Sequence, residues 1–213
     1  AVAVPILHDF KPDNIHHIVN HSGSKAVLAA SSNWENMNDS KMPDVKLFMM
    51  LDNFTIIKSK NKEVNTVRER INEYFGKKYP RSFTSVDVKY HIEKPEELAV
   101  LSYTSGTTSF SKGVMIPYRS LWSNTQYAYD NIPFIHAGDN FVCMLPMAHM
   151  YGLAFEILNG INKGCHIHFL TRTPSPKVIA ESFTNIKPTL ILAVPLIIEK
   201  IIKSKVFPEL EKP

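Results

Sequence analysis

The protein has 213 residues, of which 44% are hydrophobic and 21% carry a charge. This composition is sufficient to bury an apolar core and excludes a highly charged, disordered chain. The net charge is +4, and the densest basic cluster contains only Lys77, Lys78 and Arg81. Because such a thin cluster is more typical of a solvated face than of a nucleic-acid interface, we expect no nucleic-acid partner.

The cysteines, the apolar runs and the first residues indicate whether the chain is disulfide-bonded, membrane-spanning or processed. Cys143 and Cys165 each lie in an apolar run, where we expect buried free thiols rather than a disulfide framework. No apolar run approaches the roughly 20 residues that a membrane span needs. The segment Ala1–Leu7 lacks an initiator methionine and a basic leader, so we expect that the chain was either processed or cut from a longer one.

Strands and helices alternate in the first part of the chain. Apolar runs predict strands at residues 1–7, 26–30 and 47–51. Amphipathic stripes predict helices at residues 12–23 and 63–77. In the first helix, Ile15, Ile18 and Val19 share one apolar stripe, and Gly23 marks the end. The stripe of the second helix consists of Val64, Val67, Ile71, Tyr74 and Phe75.

A polar segment with two prolines, residues 78–97, is the best boundary between lobes. Within it, the alternation of apolar and polar residues from Val86 to Ile92 predicts one exposed strand. Further strands are predicted at residues 98–103, 114–116, 141–145, 165–170 and 189–194. Helices are predicted at residues 121–129, 152–159, 176–186 and 196–204, the third with Ser175 as its cap.

Strands that are apolar on both faces and alternate with helices are typical of an α/β fold with layered, mostly parallel sheets flanked by helices. We expect a first α/β lobe at residues 1–80, a linker or exposed strand at 81–97 and a second α/β lobe at 98–213. The second lobe carries the segment with the most chemical information, a loop at residues 103–114.

The segment from Leu101 to Val114 combines seven serine or threonine residues, two glycines and one lysine between two apolar runs. Small residues let backbone N–H groups converge on an anion, and Lys112 adds a positive charge, so the segment is suited to hold a polyphosphate. It differs from a Walker-type loop, because Lys112 is followed by Gly113 and a strand-like run rather than by a helix. On composition alone, a flexible loop rich in serine and threonine is an equal alternative.

The order of residues in this loop resembles that of a known family. Tyr-Thr-Ser-Gly-Thr-Thr, three residues, and then Lys-Gly-Val-Met resembles the signature loop of the adenylate-forming (AMP-forming) superfamily, which includes acyl-CoA synthetases and luciferases. Residues 144–152 and 188–200 resemble its Leu-Pro-Leu-x-His and Pro-Thr…Val-Pro-x-x-x-Glu-Lys segments. The start of the chain, with Val-Pro-Ile and Asp-Phe at residues 4–10, is similar to the long-chain fatty-acid–CoA ligase branch.

Four positions depart from the family pattern. Ser109 and Ser111 stand where the family usually has glycine and proline, and Tyr118 and Leu196 stand where it often has histidine and arginine. If the glycine position needs a positive φ, Ser109 costs roughly 1–2 kcal/mol in the loop, which weakens the expected binding of ATP.

The resemblance implies an internal fragment of the large N-terminal domain of a long-chain fatty-acid–CoA ligase, with an incomplete first lobe and no activity of its own. In the parent, a fatty acid and ATP give an acyl-adenylate and pyrophosphate, and coenzyme A then displaces AMP. The implied cofactors and partners are ATP, Mg²⁺, coenzyme A, the fatty acid and the remaining domains of the parent chain. The implied localisation is cytoplasmic, with at most peripheral membrane contact through the lipid substrate. A non-catalytic nucleotide- or acyl-binding module is the alternative.

The resemblance also assigns roles to individual residues. The residues implied to bind the nucleotide are Thr104, Ser105, Gly106, Thr107, Thr108, Ser109, Lys112 and Gly113. Thr104 is also implied to lie near the metal, and Lys112 and His149 are the implied catalytic residues. The position that matches His149 lies near the acyl pocket and the reacting carboxylate, although a core histidine before a helix is an alternative.

Two histidine pairs have spacings that suit a metal. His17 and His21 lie one helical turn apart, and His166 and His168 point to the same side of a predicted strand. No third ligand is evident for either pair, so we expect solvated or packed histidines instead.

Overall fold

The computed structural model describes residues 1–90, 92–104, 112–170, 174–203 and 207–210. The chain has the α/β fold that the sequence predicts and forms two compact units. One unit consists of Ala1–Leu7, Pro95–Ser102 and Val114–Pro213. The other consists of His8–Lys94 and Tyr103–Gly113.

The unit built from His8–Lys94 has a three-stranded sheet in the order β1-β2-β3. Strands β1 (Ala26–Ala29) and β2 (Leu47–Met50) are parallel, as the apolar runs predict. Strand β3 (Ile56–Ser59), which the sequence did not reveal, is antiparallel to β2. Helix α1 (Pro12–His21) buries the predicted stripe, and a short helix α2 (Ser31–Trp34) follows β1.

The predicted helix at residues 63–77 is wrong in one respect, because it is two helices. Helix α3 (Lys62–Glu69) starts at Asn61, whose side chain accepts hydrogen bonds from the first turn. Arg70 then leaves the helical conformation, and its guanidinium binds both carboxylate oxygens of Glu73 at 2.6 and 2.8 Å. This bidentate pair links Arg70 to the first turn of α4 (Ile71–Lys78).

The predicted strand around Val86 to Ile92 is also wrong. Residues 85–87 form a short 3₁₀ turn that is closed by a reciprocal capping box between Thr84 and Asp87. Val86 and Ile92 are exposed, and residues 78–90 and 92–97 contain no strand. Alternation alone is insufficient for a strand when no partner strand lies beside it.

The other unit contains a parallel sheet in the order β7-β6-β8. Its central strand β6 (Asn140–Cys143) pairs with β7 (His166–Phe169) and with the short strand β8 (Leu190–Ile191). The predicted strand at residues 189–194 is therefore too long. β8 pairs only with Phe141 and Val142, although β6 continues to Cys143, which pairs with Phe169 of β7.

The predicted strand at Ala1–Leu7 is reduced to a single parallel bridge between Ala3 and Val100. Pro5 follows this bridge and has no N–H group to continue a ladder. Val100 belongs to β4 (Leu98–Thr104), which forms a two-stranded sheet with β5 (Lys112–Pro117).

The same unit also contains helices. They are α5 (Tyr118–Asn131), a π-helix (Gly152–Leu158), α6 (Asn159–Lys163), α7 (Pro176–Ile186), α8 (Pro195–Ile201) and α9 (Phe207–Leu210). Of these, the π-helix, α6 and α7 contact its parallel sheet. The predicted cap of α7 is confirmed, since the Ser175 hydroxyl accepts a hydrogen bond from the Val178 N–H at 3.3 Å. Ile179 on α7 is buried in a cluster with Val142 and Met144.

The cysteines are free, as expected, although only Cys143 is buried and Cys165 is partly exposed. Within the described parts of the chain, no helix is both long enough and apolar enough to cross a membrane.

Replacing Ile179 by alanine should lower the free energy of unfolding by about 2–5 kcal/mol, because it leaves a cavity at a side chain that is only 2% exposed. Ile161→Ala on α6 is the matched control: this side chain is 64% exposed, and its loss should change stability by less than about 0.5 kcal/mol. Urea unfolding of both variants measures the difference. Equal losses would contradict the placement of the core.

Candidate active site

The predicted phosphate loop joins two neighbouring strands. Thr104 is the last residue of β4 and Lys112 is the first of β5, and both are exposed. Gly113 is half-buried. The remaining predicted phosphate ligands lie outside the described residues, namely Ser105, Gly106, Thr107, Thr108 and Ser109. The described stem therefore brings one hydroxyl and one ammonium group to the ends of adjacent strands.

A partly buried hydrogen bond supports this stem on the β4 side. The Tyr103 hydroxyl and Nδ1 of His21 are 2.7 Å apart and share a hydrogen bond, and their rings meet edge to face at 5.7 Å. His21 is the last residue of α1, so the bond ties the strand that enters the loop to this helix. Burial raises the pKa of Tyr103, which keeps its phenol protonated and able to take part in the bond.

This contact also gives one member of the first histidine pair a role other than metal binding. His17 and His21 have ring centroids 5.7 Å apart, but His21 is committed to Tyr103. In the second pair, Nε2 of His168 lies 3.0 Å from the Oδ1 of Asn140. The described ranges contain no group of three or more histidine, cysteine, aspartate or glutamate residues that could hold a metal ion.

His149 belongs to the other unit, in the turn between β6 and the π-helix. It is exposed, and the Tyr151 N–H donates to its Nδ1 at 3.3 Å. Its own N–H donates to the Pro146 carbonyl at 2.8 Å, and its carbonyl accepts from Leu153 at 3.0 Å. Because Nδ1 acts as an acceptor, the neutral ring carries its proton on Nε2, which is the nitrogen left to meet a ligand.

A buried carboxylate holds the segment that leads to His149. Glu156 is only 2% exposed and lies in the π-helix. Its Oε1 accepts from the Met144 N–H at 3.0 Å and its Oε2 accepts from the Leu145 N–H at 3.2 Å. One side chain thus satisfies two successive amides at the point where β6 ends. We name residues 144–149 the histidine segment.

The close approach of the π-helix to the histidine segment requires glycine at its first position. A Cβ atom on Gly152 would lie 2.9 Å from the Cβ of Leu145 and 3.1 Å from the carbonyl oxygen of Pro146. Both distances are shorter than ordinary contacts, so any side chain at this position displaces the segment.

Burial dominates the electrostatics around Glu156. Desolvation raises its pKa to about 6, although the two amide hydrogen bonds act in the opposite direction. The neighbouring thiol of Cys143 is affected as well: burial, and then the negative charge of Glu156, raise its pKa to about 12. The ionised carboxylate is therefore kept in the fold at a net electrostatic cost.

Sequence reasoning assigned no role to Glu156 or to the pairing of His21 with Tyr103. A signal existed for Glu156, because it is the single acidic residue in the run Gly-Leu-Ala-Phe-Glu-Ile-Leu. A carboxylate on an apolar helical segment has to find donors when the helix is buried. No comparable signal existed for the bond between His21 and Tyr103, which are far apart in the sequence.

Comparison with known proteins defines the class to which this fold and loop belong. The family model of AMP-binding enzymes matches residues 1–212, and the chain belongs to that family. Among curated proteins, it is 26% identical over 207 residues to the peroxisomal long chain acyl-CoA synthetase 6 of Arabidopsis thaliana, covering 94% of this chain and 28% of the synthetase. Over 82 residues, or 37% of this chain and 14% of the relative, it is 39% identical to 4-coumarate–CoA ligase 1 of Oryza sativa subsp. japonica. The chain thus spans less than a third of the length of these relatives.

Solved structures agree on the fold. The N-terminal domain of FACL13 from Mycobacterium tuberculosis superposes with a TM-score of 0.71 at 21% identity, covering 100% of this chain and 48% of that one. The O-succinylbenzoate coenzyme A synthetase of Bacillus subtilis, solved with ATP and magnesium ion, gives a TM-score of 0.66 at 19% identity, covering 96% of this chain and 36% of that one. The overlap supports the expectation that the fold corresponds to part of the N-terminal domain of an acyl-CoA synthetase.

Tyr103→Phe should destabilise the protein by about 0.5–1.5 kcal/mol, because it removes the partly buried hydrogen bond to His21 and keeps the ring. Tyr127→Phe on α5 is the matched control, since the Tyr127 side chain is exposed. Chemical unfolding of both variants measures the two losses. A Tyr103→Phe variant as stable as the control would show that the bond does not hold the stem.

The raised pKa of Glu156 predicts a direction for the pH dependence of stability. Its stabilising contribution is fully present below the ordinary pKa of 4.5 and is lost as the pH rises through about 6, where the folded-state carboxyl ionises. Relative to a Glu156→Gln variant, wild-type stability should fall by about 2 kcal/mol over that interval. Unfolding of both proteins at a series of pH values measures the difference, and a difference independent of pH would contradict the assignment.

Proposed function

We propose that this chain is part of an AMP-forming acid–thiol ligase whose acid substrate is a long-chain fatty acid. The carboxylate of the acid attacks the α-phosphate of ATP, which gives an acyl-adenylate and releases pyrophosphate. The thiolate of coenzyme A then attacks the acyl carbon and displaces AMP. The placement of Thr104 and Lys112 at the ends of paired strands, around a loop with the family's signature, is the observation that carries this proposal.

In the first step, Lys112 stabilises negative charge on the phosphates. Its exposed ammonium group at the start of β5 stabilises the negative charge that develops on the departing pyrophosphate. The neutral donors of the loop orient the phosphates and add no charge of their own. The hydrogen bond between Tyr103 and His21 holds the residue that precedes Thr104, where the strand enters the loop.

Mg²⁺ enters this proposal as the partner of the nucleotide. It prefers oxygen ligands and keeps several waters, and Thr104 offers one exposed hydroxyl at the end of β4. A single hydroxyl fits this preference but leaves most of the coordination to phosphate oxygens and water. When bound, the ion neutralises charge on the phosphates.

His149 is proposed to act on the acid. With Nδ1 accepting from Tyr151, the Nε2–H is free to donate to a carboxylate oxygen of the substrate and orient it towards the nucleotide. The similarity to a long chain acyl-CoA synthetase, 26% identity over 207 residues, supports a fatty acid as this substrate. A lipid substrate is in turn compatible with a cytoplasmic protein that makes at most peripheral membrane contact.

The proposed function is tested by exchange of labelled pyrophosphate into ATP, which requires only the first half-reaction. The parent protein that carries this chain should catalyse exchange when a long-chain fatty acid is present, and the 213-residue chain alone should stay at background. Binding of ATP or fatty acid by the parent without any exchange would favour the alternative, a non-catalytic binding module. Exchange by the isolated chain would overturn its assignment as an inactive fragment.

In the parent, Lys112→Ala should slow adenylation by about 10²-fold, because it removes the charge that faces the leaving pyrophosphate. Thiolysis of pre-formed acyl-adenylate should be much less affected, since no pyrophosphate is present in that step. Lys177→Ala, which removes an exposed lysine of α7, is the control and should leave both half-reactions unchanged. If Lys112→Ala slows both half-reactions equally, Lys112 supports the fold or the AMP site and its phosphate role is wrong.

A further inference from the structure

The carboxylate of Glu156 binds the backbone at the point where β6 ends. Both of its oxygens bind backbone N–H groups, and these groups belong to consecutive residues at the end of β6. A sheet strand that continued through Met144 and Leu145 would use these groups in its ladder. Glu156 replaces the ladder at that point and sets the direction in which the chain leaves the sheet.

The same helix braces the histidine segment from a second side. Gly152 is buried against Leu145 and Pro146, with no room for a Cβ atom. Glu156 follows Gly152 by about one turn, so that the π-helix contacts the segment through backbone packing and through the carboxylate together. π-Helical turns are rare and are frequently found at functional sites, because the extra residue per turn re-aims the side chains.

We propose that Glu156 is a positioning residue, which holds the histidine segment so that His149 meets the carboxylate of the acid substrate. The proposal rests on the proposed function for its link to the acid, and on the structure for the link between Glu156 and the segment. Glu156 touches no reacting atom. It acts through the amides of Met144 and Leu145, and its removal loosens the segment while the rest of the sheet stays folded.

The kinetic test uses Glu156→Gln in the parent protein. Glutamine has one acceptor oxygen, so it leaves one of the two amides facing an N–H donor. We expect kcat/KM for the fatty acid to fall by about tenfold or more, with a raised KM for the acid and an unchanged KM for ATP. Glu181→Gln, which alters an exposed carboxylate on α7, is the matched control and should change neither constant. A variant that only lowers the amount of active enzyme, with both KM values unchanged, overturns the positioning role.

A second variant alters the histidine segment but leaves the carboxylate of Glu156 unchanged. Gly152→Ala places a methyl group 2.9 Å from Leu145, so it should displace the histidine segment and raise the KM for the acid as Glu156→Gln does. This variant keeps the proposal testable if Glu156→Gln does not fold. An unchanged KM for the acid in Gly152→Ala would contradict the idea that the segment positions the substrate.

Amide hydrogen exchange tests the link between Glu156 and the segment independently of any activity. In the parent carrying Glu156→Gln, protection at Met144 and Leu145 should fall by about tenfold or more, while the amides of Asn140–Cys143 keep theirs. Equal loss of protection along the strand shows a general loss of stability and overturns the proposal. If protection is lost only at Met144 and Leu145 but the parent forms no acyl-adenylate, the proposed function is wrong. The structural role of Glu156 is then still supported.

Discussion

A carboxylate that leaves water has to be met by hydrogen-bond donors, and this requirement shapes the unit that carries His149. Glu156 takes its donors from the backbone of Met144 and Leu145, so β6 ends at Cys143, two residues before the predicted end at Leu145. The path of the histidine segment is a second result. One buried side chain therefore determines how the edge of the sheet is built.

The two candidate site segments share a mode of support although they belong to different units. In each, an exposed residue with a proposed chemical role lies near a polar contact that is at least partly buried. Tyr103, bound to His21, precedes Thr104, and Glu156 binds the backbone of the segment that contains His149. Exposed side chains have many rotamers, and only a rigid backbone beneath them limits where they reach. The buried contacts supply that rigidity without occupying the surface that a substrate needs.

The sequence was sufficient to predict those elements whose residue pattern is local. Apolar runs located β1, β2, β4 and β6, and helical periodicity with capping residues located α1 and α7. The break at Arg70 was not predicted, because the apolar stripe of the sequence continues across it without interruption. The short strand β3 has no periodicity of its own, and its place depends on the partner strand β2. The loop motif was enough to assign the family but could not reveal the contacts of Tyr103 and Glu156, whose partners are distant in the sequence or belong to the backbone.

The unequal surroundings of the two thiols make them a chemical reporter of the fold. Thiolate is the form that alkylating reagents attack, and burial beside Glu156 holds the pKa of Cys143 at about 12. Cys143 is consequently unreactive for as long as β6 keeps its place in the sheet. Cys165, just before β7, is partly exposed, although burial and then the charge of Asp139 raise its pKa as well. Its greater exposure makes Cys165 the thiol that reacts first in the folded chain, and modification of Cys143 marks molecules in which the sheet has opened.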